Sequence, residues 1–312
     1  MLPTADSVTP AEVAELKVAP PRHPWQWLSA AVVLTAFVLL AISVATNENM
    51  RWAVVGDYLF NEQVLEGVLW TITLTAVAMA VAIGLGIAIA VMRVSDNRLL
   101  QGTAIAYLWF FRGTPLLVQL IFWFNLALVF PELGLPMFFG PDAPGGLDTN
   151  QMISWFVAAL LGFGLHEAAY MSEVVRSGFL SIDRGQTEAA QALGMTGGRI
   201  LRRILLPQAL RVIVPPTMNQ FVNLLKATSL VAFIAGEDLL SSVQTIYARN
   251  FLVIPLLVVA SLWYLGLVTV ATFAQNSIEK RLGRGYGRTA PVRRGRSDQR
   301  GSSVPAPPGE AL

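Results

Sequence analysis

The sequence has 312 residues, of which 54% are hydrophobic and 13% charged, and its formal net charge is +2. An ordinary soluble domain carries about a quarter charged residues, so this composition excludes a soluble protein and indicates one that lies in lipid. The sequence contains no cysteine, which excludes disulfides, thiolate nucleophiles and cysteine-based zinc sites.

The sequence also lacks the short motifs of several enzyme classes. It contains neither a GxxxxGKS/T phosphate loop nor a GxSxG elbow, so the chain should neither bind ATP by that route nor act as an α/β-hydrolase. Its two histidines, His23 and His166, are far apart and have no metal-ligand spacing. We therefore predict a chain that is not itself an enzyme, with no catalytic residue, no metal site and no cofactor of its own.

The N-terminal region contains a polar arm and a first apolar run. Residues 1–24 are polar and proline-rich, which predicts a disordered cytoplasmic arm. Residues 25–46 carry no charge, and a helix of that length spans about 33 Å, enough to cross a hydrocarbon core of about 30 Å. We predict an extra N-terminal transmembrane helix over 25–47. A cleaved signal peptide is the alternative, because Lys17 and Arg22 precede the run, but the run exceeds the usual h-region of about 7–15 residues.

Five further apolar segments follow, separated by polar ones. Their ranges are 67–92, 103–130, 151–176, 208–235 and 250–278. Of the 22 Lys and Arg residues, 18 fall in segments that this layout places inside, and only Arg51 and Arg249 fall outside. The positive-inside rule then predicts six transmembrane helices with both termini cytoplasmic. Residues 283–312 are predicted to form a basic, disordered cytoplasmic tail, which we interpret as a topology anchor rather than a lipid or nucleic-acid site.

The cytoplasmic stretch 183–207 is patterned as two short helices. One covers Gln186–Leu193 and ends at Gly194, and the second covers Gly197–Leu206, with Thr196 placed to cap it and Pro207 to limit it. Small alanines let the first helix approach a partner closely. Glu188 and three arginines offer charges for docking; the arginines are Arg199, Arg202 and Arg203.

The same stretch contains a spaced motif: Glu188-Ala189-Ala190, three residues, Gly194, nine residues, then Ile204-Leu205-Leu206-Pro207. It resembles the EAA loop of the binding-protein-dependent inner-membrane components of ATP-binding-cassette (ABC) importers, whose pattern is EAA-x3-G-x9-I-x-L-P. In that family the loop docks on the ATPase subunit. The resemblance implies a coupling role for Glu188, Ala189, Ala190, Gly194, Ile204, Leu206 and Pro207. It also implies a partner ATPase dimer that binds ATP and Mg, an extracytoplasmic binding protein and a second permease chain, identical or similar.

Other segments are similar to permeases for polar amino acids of the histidine, glutamine and glutamate type. They are Phe111–Gln119, which contains Arg112, Gly113, Thr114 and Pro115, together with Asn219–Phe221 and Leu224–Leu230. The likeness covers about residues 64–282 and implies an all-α fold, with a five-helix type I importer core behind the extra helix. His166 and Ala227 depart from the residues expected there, which leaves the carried amino acid open.

Polar residues inside the apolar segments are candidates for the substrate pathway, because charge within a membrane is costly. His166, Tyr170 and Glu173 share one helix face, with Glu167 about 100° from His166, and Asn219, Asn223 and Lys226 share another. If the faces meet, Lys226 with Asn223 would hold the α-carboxylate of an amino acid and Glu167 its α-ammonium. The alternative is structural: Lys226 pairs with Glu167, Glu173 pairs with Arg176, and Arg112 ties helices together.

The sequence therefore predicts the permease subunit of an ABC importer that moves polar amino acids across the bacterial plasma membrane. An ion-gradient-driven secondary transporter is the alternative, since it would also account for six spans and buried charges. Such a transporter has no use for an EAA loop, and the chain lacks evident inverted repeats of broken helices.

Overall fold

The computed structural model describes residues 24–140 and 144–282. The predicted basic tail and, apart from Pro24, the predicted N-terminal arm lie outside the described residues. In chain order the helices are α1 (Pro24–Thr46), α2 (Trp52–Leu59), α3 (Glu62–Arg93), α4 (Arg98–Gly113), α5 (Leu116–Phe124), α6 (Leu135–Phe139), α7 (Thr149–Met152), α8 (Trp155–Leu180), α9 (Arg184–Ala192), α10 (Gly197–Ile200), α11 (Leu206–Ala227), α12 (Leu239–Asn250) and α13 (Val253–Leu282). Two short strands, β1 (Glu132–Leu133) and β2 (Leu147–Asp148), pair antiparallel.

The core surrounds α8, which packs against α3, α4, α5 and α11. Its largest cluster combines small and bulky side chains. Members are Leu74, Ala78, Met79, Ala82, Leu120, Ala158, Ala159, Phe163, Met171, Leu224, Val231 and Ile234. Small residues let helices approach closely where apolar surroundings give no hydrophobic drive for association. At Gly86 of α3 a Cβ atom would lie 2.6 Å from the Cβ of Met171, so α3 and α8 meet almost backbone to backbone.

α1 stands apart from this core. It has high mean hydropathy, and its most apolar stretch, within Trp27–Thr46, is not buried against the rest of the described chain. One hydrogen bond links it to the next helix, from the Trp52 indole N–H to the carbonyl of Ala45, at 3.0 Å. An apolar helix with so little protein around it is suited to contact with lipid.

Among the described residues, three helices are long and apolar enough to cross a membrane: Trp27–Thr46 of α1, together with α3 and α13. The pair α4 and α5 makes a fourth span if it is taken as one unit, and it is bent by 100°. α8 and α11 have 26 and 22 residues, lengths that also suffice for a span. The described chain is therefore a mostly helical membrane bundle.

The predicted third span is not one helix, and this corrects the layout drawn from hydropathy. The chain breaks after α4 because Pro115 disfavours helical angles at the residue before it, and Thr114 is extended, with φ −106° and ψ 142°. The Gln119 amide then donates to the Thr114 hydroxyl at 2.7 Å and to the Phe111 carbonyl at 3.1 Å. These bonds satisfy polar groups that the break leaves without helical partners.

The prediction that Pro207 limits a short helix is wrong. α10 leads through a π-helical turn (Leu201–Leu205) directly into α11, and Pro207 lies in the first turn of α11. Proline fits the first turn of a helix because its missing N–H would have no helical partner there. The second cytoplasmic helix and the predicted fifth span are thus continuous. At its far end α11 passes into a 3-10 segment, Thr228–Ile234.

The predicted sixth segment also differs. Its first residue, Asn250, belongs to the separate helix α12, and the long helix starts at Val253. Asp238 caps α12 through its carboxylate and accepts a hydrogen bond of 2.9 Å from the Tyr264 hydroxyl. This buried carboxylate therefore fixes α12 against α13.

Candidate functional site

The EAA segment forms a short helix with a well-defined end. Asp183 caps α9 by accepting a hydrogen bond from the Gly185 N–H at 2.8 Å. At the other end Gly194 adopts φ +72°, a conformation that favours glycine. The N–H groups of Met195 and Gly194 donate back to the carbonyls of Ala190 and Gln191, at 3.1 and 2.9 Å. Together these bonds make a Schellman ending, so Gly194 is required by the backbone and not merely tolerated.

The helix α9 turns one side inward and one side outward. Ala190 is 3% exposed, and Ile200 of the following helix is 2% exposed. Glu188 and Ala189 are exposed on the surface. Leu193, one turn beyond Ala189 on the same side, is 82% exposed. A bulky apolar side chain this exposed beside small residues is the kind of surface that a partner protein covers.

Leu193 was missed by the reading of the sequence. The signal available was a single bulky apolar residue four positions after Ala189 in an otherwise polar helix. Thr196 also differs from its expected role: it occupies the N-cap position of α10, but its side chain makes no capping hydrogen bond. The remaining motif residues lie at the junction with α11, where Ile204 is half-buried and Leu206 and Pro207 are exposed.

A cavity of about 600 Å³ lies between the start of α9, the start of α11 and the end of α13. Its lining is rich in charged and amide groups: Asp183, Gln186, Gln208, Arg211 and Glu279. The Gln275 amide donates to the Asn219 side-chain oxygen at 3.0 Å and lies 2.9 Å from Glu279. These contacts join the predicted α11 face to α13 and to this cavity.

The two predicted polar faces are not joined within one chain. Asn219, Asn223 and Lys226 are exposed on α11, whereas Glu167 is buried on α8. In the described ranges no hydrogen bond, ion pair or ring contact joins any of these α11 residues to His166, Glu167 or Tyr170. The structural alternative of a Lys226–Glu167 pair is therefore not formed.

Glu167 and His166 each have a buried polar atom without a hydrogen-bond partner in the described part of the chain. These atoms are Oε2 of Glu167, whose side chain is 7% exposed overall, and Nδ1 of His166. The His166 ring packs on Tyr170, with 5.3 Å between centroids. Buried polar groups in proteins nearly always have a hydrogen-bond partner, and the described part of this chain supplies none for these two atoms.

Glu173 gathers three guanidinium groups. Its Oε1 contacts Arg93 and lies 3.7 Å from Arg112, while its Oε2 accepts hydrogen bonds of 3.0 and 3.2 Å from Arg176. Arg112 also lies over the Tyr170 ring, 5.4 Å from its centroid. The Glu173–Arg176 pair of the structural alternative is therefore formed, and Arg112 of α4 lies beside Glu173 and Tyr170 of α8. The contact of Glu173 with Arg93, which lies 80 residues away in the chain, was not predicted. The sequence signal that could have pointed to Arg93 is that it is the first basic residue after an apolar run.

A family model described as "Binding-protein-dependent transport system inner membrane component" matches residues 80–284. This chain belongs to that family. The permease is 38% identical over 91% of its length to the "Arginine transport system permease protein ArgU" of Corynebacterium glutamicum, covering 88% of that protein. It is 33% identical to the "Probable amino-acid ABC transporter permease protein YckA" of Bacillus subtilis, over 72% of this chain and 95% of that one.

Among solved structures, the permease resembles a chain of "an amino acid ABC transporter with histidines", with a TM-score of 0.60 and 27% identity. The match covers 71% of this permease and 95% of that chain. These relatives confirm the predicted family, and they do not favour an ion-gradient-driven secondary transporter. The permease is a multi-pass membrane protein of the bacterial inner membrane and a subunit of an ABC transporter.

Proposed function

We propose that this permease is the membrane subunit of an ABC importer for polar amino acids, with arginine as the first candidate. The exposed helix α9 with its Schellman ending carries the proposal, because it presents Glu188, Ala189 and Leu193 to a partner on a rigid backbone. The substrate class is supported by 38% identity to a permease named for arginine transport. ATP and Mg would be bound by a partner ATPase dimer and not by this chain.

The proposed assembly contains two permease chains, identical or similar, two ATPase chains and an extracytoplasmic binding protein. The proposed topology has six spans, formed by α1, α3, the bent pair α4 and α5, α8, α11 and α13. The charge distribution supports it, since 18 of the 22 Lys and Arg residues then lie inside. Both termini are cytoplasmic in this arrangement, α9 and α10 face the ATPase, and nucleic acid has no part.

The proposed substrate pathway uses the two polar faces separately. Glu167, with its partnerless buried oxygen, would receive the α-ammonium group, and His166 and Tyr170 would line its surroundings. Lys226, with Asn223 and Asn219, would receive the α-carboxylate at a surface that the second permease chain covers. Both charges of a zwitterion need partners when they leave water, which is the reason for assigning one to each face.

The function is tested by measuring ATP hydrolysis by the permease co-purified in lipid with its candidate ATPase and binding protein. Polar amino acids are added one at a time, starting with arginine. We expect one of them to stimulate hydrolysis, and we expect the stimulation to disappear on changing Glu188→Ala or Gly194→Val. A permease that co-purifies with no ATPase would refute the proposal.

Glu167→Gln is expected to raise the amino-acid concentration needed for half-maximal stimulation by about 30-fold, because loss of one partner of a buried charge pair costs about 2 kcal/mol or more. The matched control is Glu66→Gln, an exposed carboxylate near the start of α3, which should leave that concentration unchanged. Co-purification with the ATPase should persist in both variants. Equal concentrations for Glu167→Gln and the unaltered permease would remove Glu167 from the pathway.

A further inference from the structure

The cluster around Glu173 carries unbalanced charge. Three guanidinium groups, those of Arg93, Arg112 and Arg176, surround one carboxylate, so the formal charge is three minus one, or +2. The side chains of these four residues are between 26% and 45% exposed, so the cluster is only partly hydrated. Positive charge of this density, partly removed from water, favours an anion beside it.

Arg112 is the member of the cluster that donates no hydrogen bond to Glu173. Its Nη1 lies 3.7 Å from the Glu173 carboxylate, which is too long for a hydrogen bond. Within residues 24–140 and 144–282 its guanidinium donates no hydrogen bond, whereas Arg93 and Arg176 both donate to Glu173. The guanidinium has five N–H donors in a planar fork that suits phosphate and carboxylate oxygens.

These donors line a cavity of about 450 Å³. Its walls include Arg93, Ile105, Trp109, Arg112, Tyr170 and Glu173. Beside the cationic groups the lining is apolar and open: Trp109 and Ile105, on the same face of α4 as Arg112, are 78% and 51% exposed. A cavity with a cationic wall and an apolar rim matches an amphipathic anion better than a small inorganic one.

The depth of the cavity is set by α3. Arg93 is the last residue of this 32-residue helix, and it follows an uncharged run that begins at Gly67. The end of such a run marks the boundary between hydrocarbon and water, which is where lipid phosphates lie. Basic pockets between membrane helices on the cytoplasmic side are suited to anionic head groups.

We propose that this cavity binds the phosphate of an anionic phospholipid. The phosphate oxygens accept hydrogen bonds from Arg112 and lie within the field of Arg93 and Arg176. An acyl chain runs along the exposed apolar side chains of α4, Ile105 and Trp109. The proposal depends on α3 crossing the membrane and is independent of which substrate the permease carries.

The test is native mass spectrometry of the full-length permease in detergent with added dioleoylphosphatidylglycerol or dioleoylphosphatidylcholine. We expect preferential retention of phosphatidylglycerol, weakened about tenfold by Arg112→Gln, since a charge-assisted hydrogen-bonded contact is worth roughly that factor. The control is Arg98→Gln, which removes an exposed guanidinium from the first turn of the same helix and should leave retention unchanged. Arg112→Lys keeps the charge but not the fork, and should retain the lipid with intermediate strength.

Two kinds of outcome would overturn the proposal. Retention that is equal for the two lipids, or that falls equally in Arg112→Gln and Arg98→Gln, would show general attraction to the membrane surface and no site. Inorganic phosphate that displaces phosphatidylglycerol at comparable concentration would assign the cavity to a free anion. Neither outcome bears on amino-acid-stimulated ATP hydrolysis, so failure here is separable from failure of the transport function.

Discussion

Gly86→Ala is expected to destabilise the permease by about 1–3 kcal/mol, the usual cost of overpacking a well-filled interior. The added Cβ would lie 2.6 Å from the Cβ of Met171 and 3.1 Å from backbone atoms of α8, so no side-chain rotation can relieve the clash. The two helices must separate along the contact that holds α3 to the core. The measurement is the thermal unfolding midpoint in detergent, followed by tryptophan fluorescence.

Gly84→Ala is the matched control, because a Cβ at Gly84, on the same helix, has nothing within 4 Å. Alanine has a higher helix propensity than glycine, so this variant should unfold at the same temperature as the unaltered permease or at a higher one. Equal midpoints for the two variants would show that α3 and α8 are not packed as closely as described.

Leu193→Asp is expected to weaken binding of the ATPase subunit by about 30-fold, the effect of losing a contact worth about 2 kcal/mol at the centre of an interface. Leu193 is the bulky apolar side chain on the outward side of α9, and an aspartate there would have to lose its hydration on docking. Binding is measured by titrating purified ATPase onto the permease in nanodiscs.

Val94→Asp supplies the control: Val94 is the C-cap residue of α3, as Leu193 is of α9, and it is also apolar and exposed, at 65%. Its ATPase affinity should stay within a few-fold of that of the unaltered permease. If Val94→Asp weakens binding as much as Leu193→Asp does, the effect is one of charge alone and the outward side of α9 is not the docking face.

Local chemistry made much of this fold predictable from the sequence. The long uncharged runs predict α1, α3 and α13 because a charge-free stretch of spanning length has few other uses. Gly194 could be placed as a helix end because glycine adopts left-handed angles more easily than other residues. The spacing of the EAA motif identified the family without any knowledge of packing.

Features that depend on orientation or long-range contact were harder to predict. Hydropathy is an average over many residues, so it did not reveal the bend at Thr114 and Pro115. The bend could have been suspected, because the residue before a proline disfavours helical angles. Pro207 was misread because a proline that ends one helix and a proline in the first turn of the next look alike in sequence. The Arg93–Glu173 contact spans 80 residues, and no local pattern specifies such a partner.

The sequence also did not predict which face of α11 is turned towards the core. A periodic pattern shows that Asn219, Asn223 and Lys226 share a face, but it does not say which neighbour that face meets. In the fold Leu224 and Leu225 take the inward positions and join the core. The polar residues consequently point away from Glu167, and the cavity expected between them is not enclosed by one chain.

The unbroken path from α10 through the π-helical turn into α11 has a mechanical consequence. From Gly197 to Ala227 the chain makes one rod about 45 Å long, comparable to the full thickness of a bilayer with its head groups. A small sideways push at its cytoplasmic end would therefore be carried along the helix towards the far end of α11. Two places along this helix depart from the α-helical hydrogen-bond pattern and can bend: the wider π-helical turn, and Pro215 with Pro216, which have no N–H to donate.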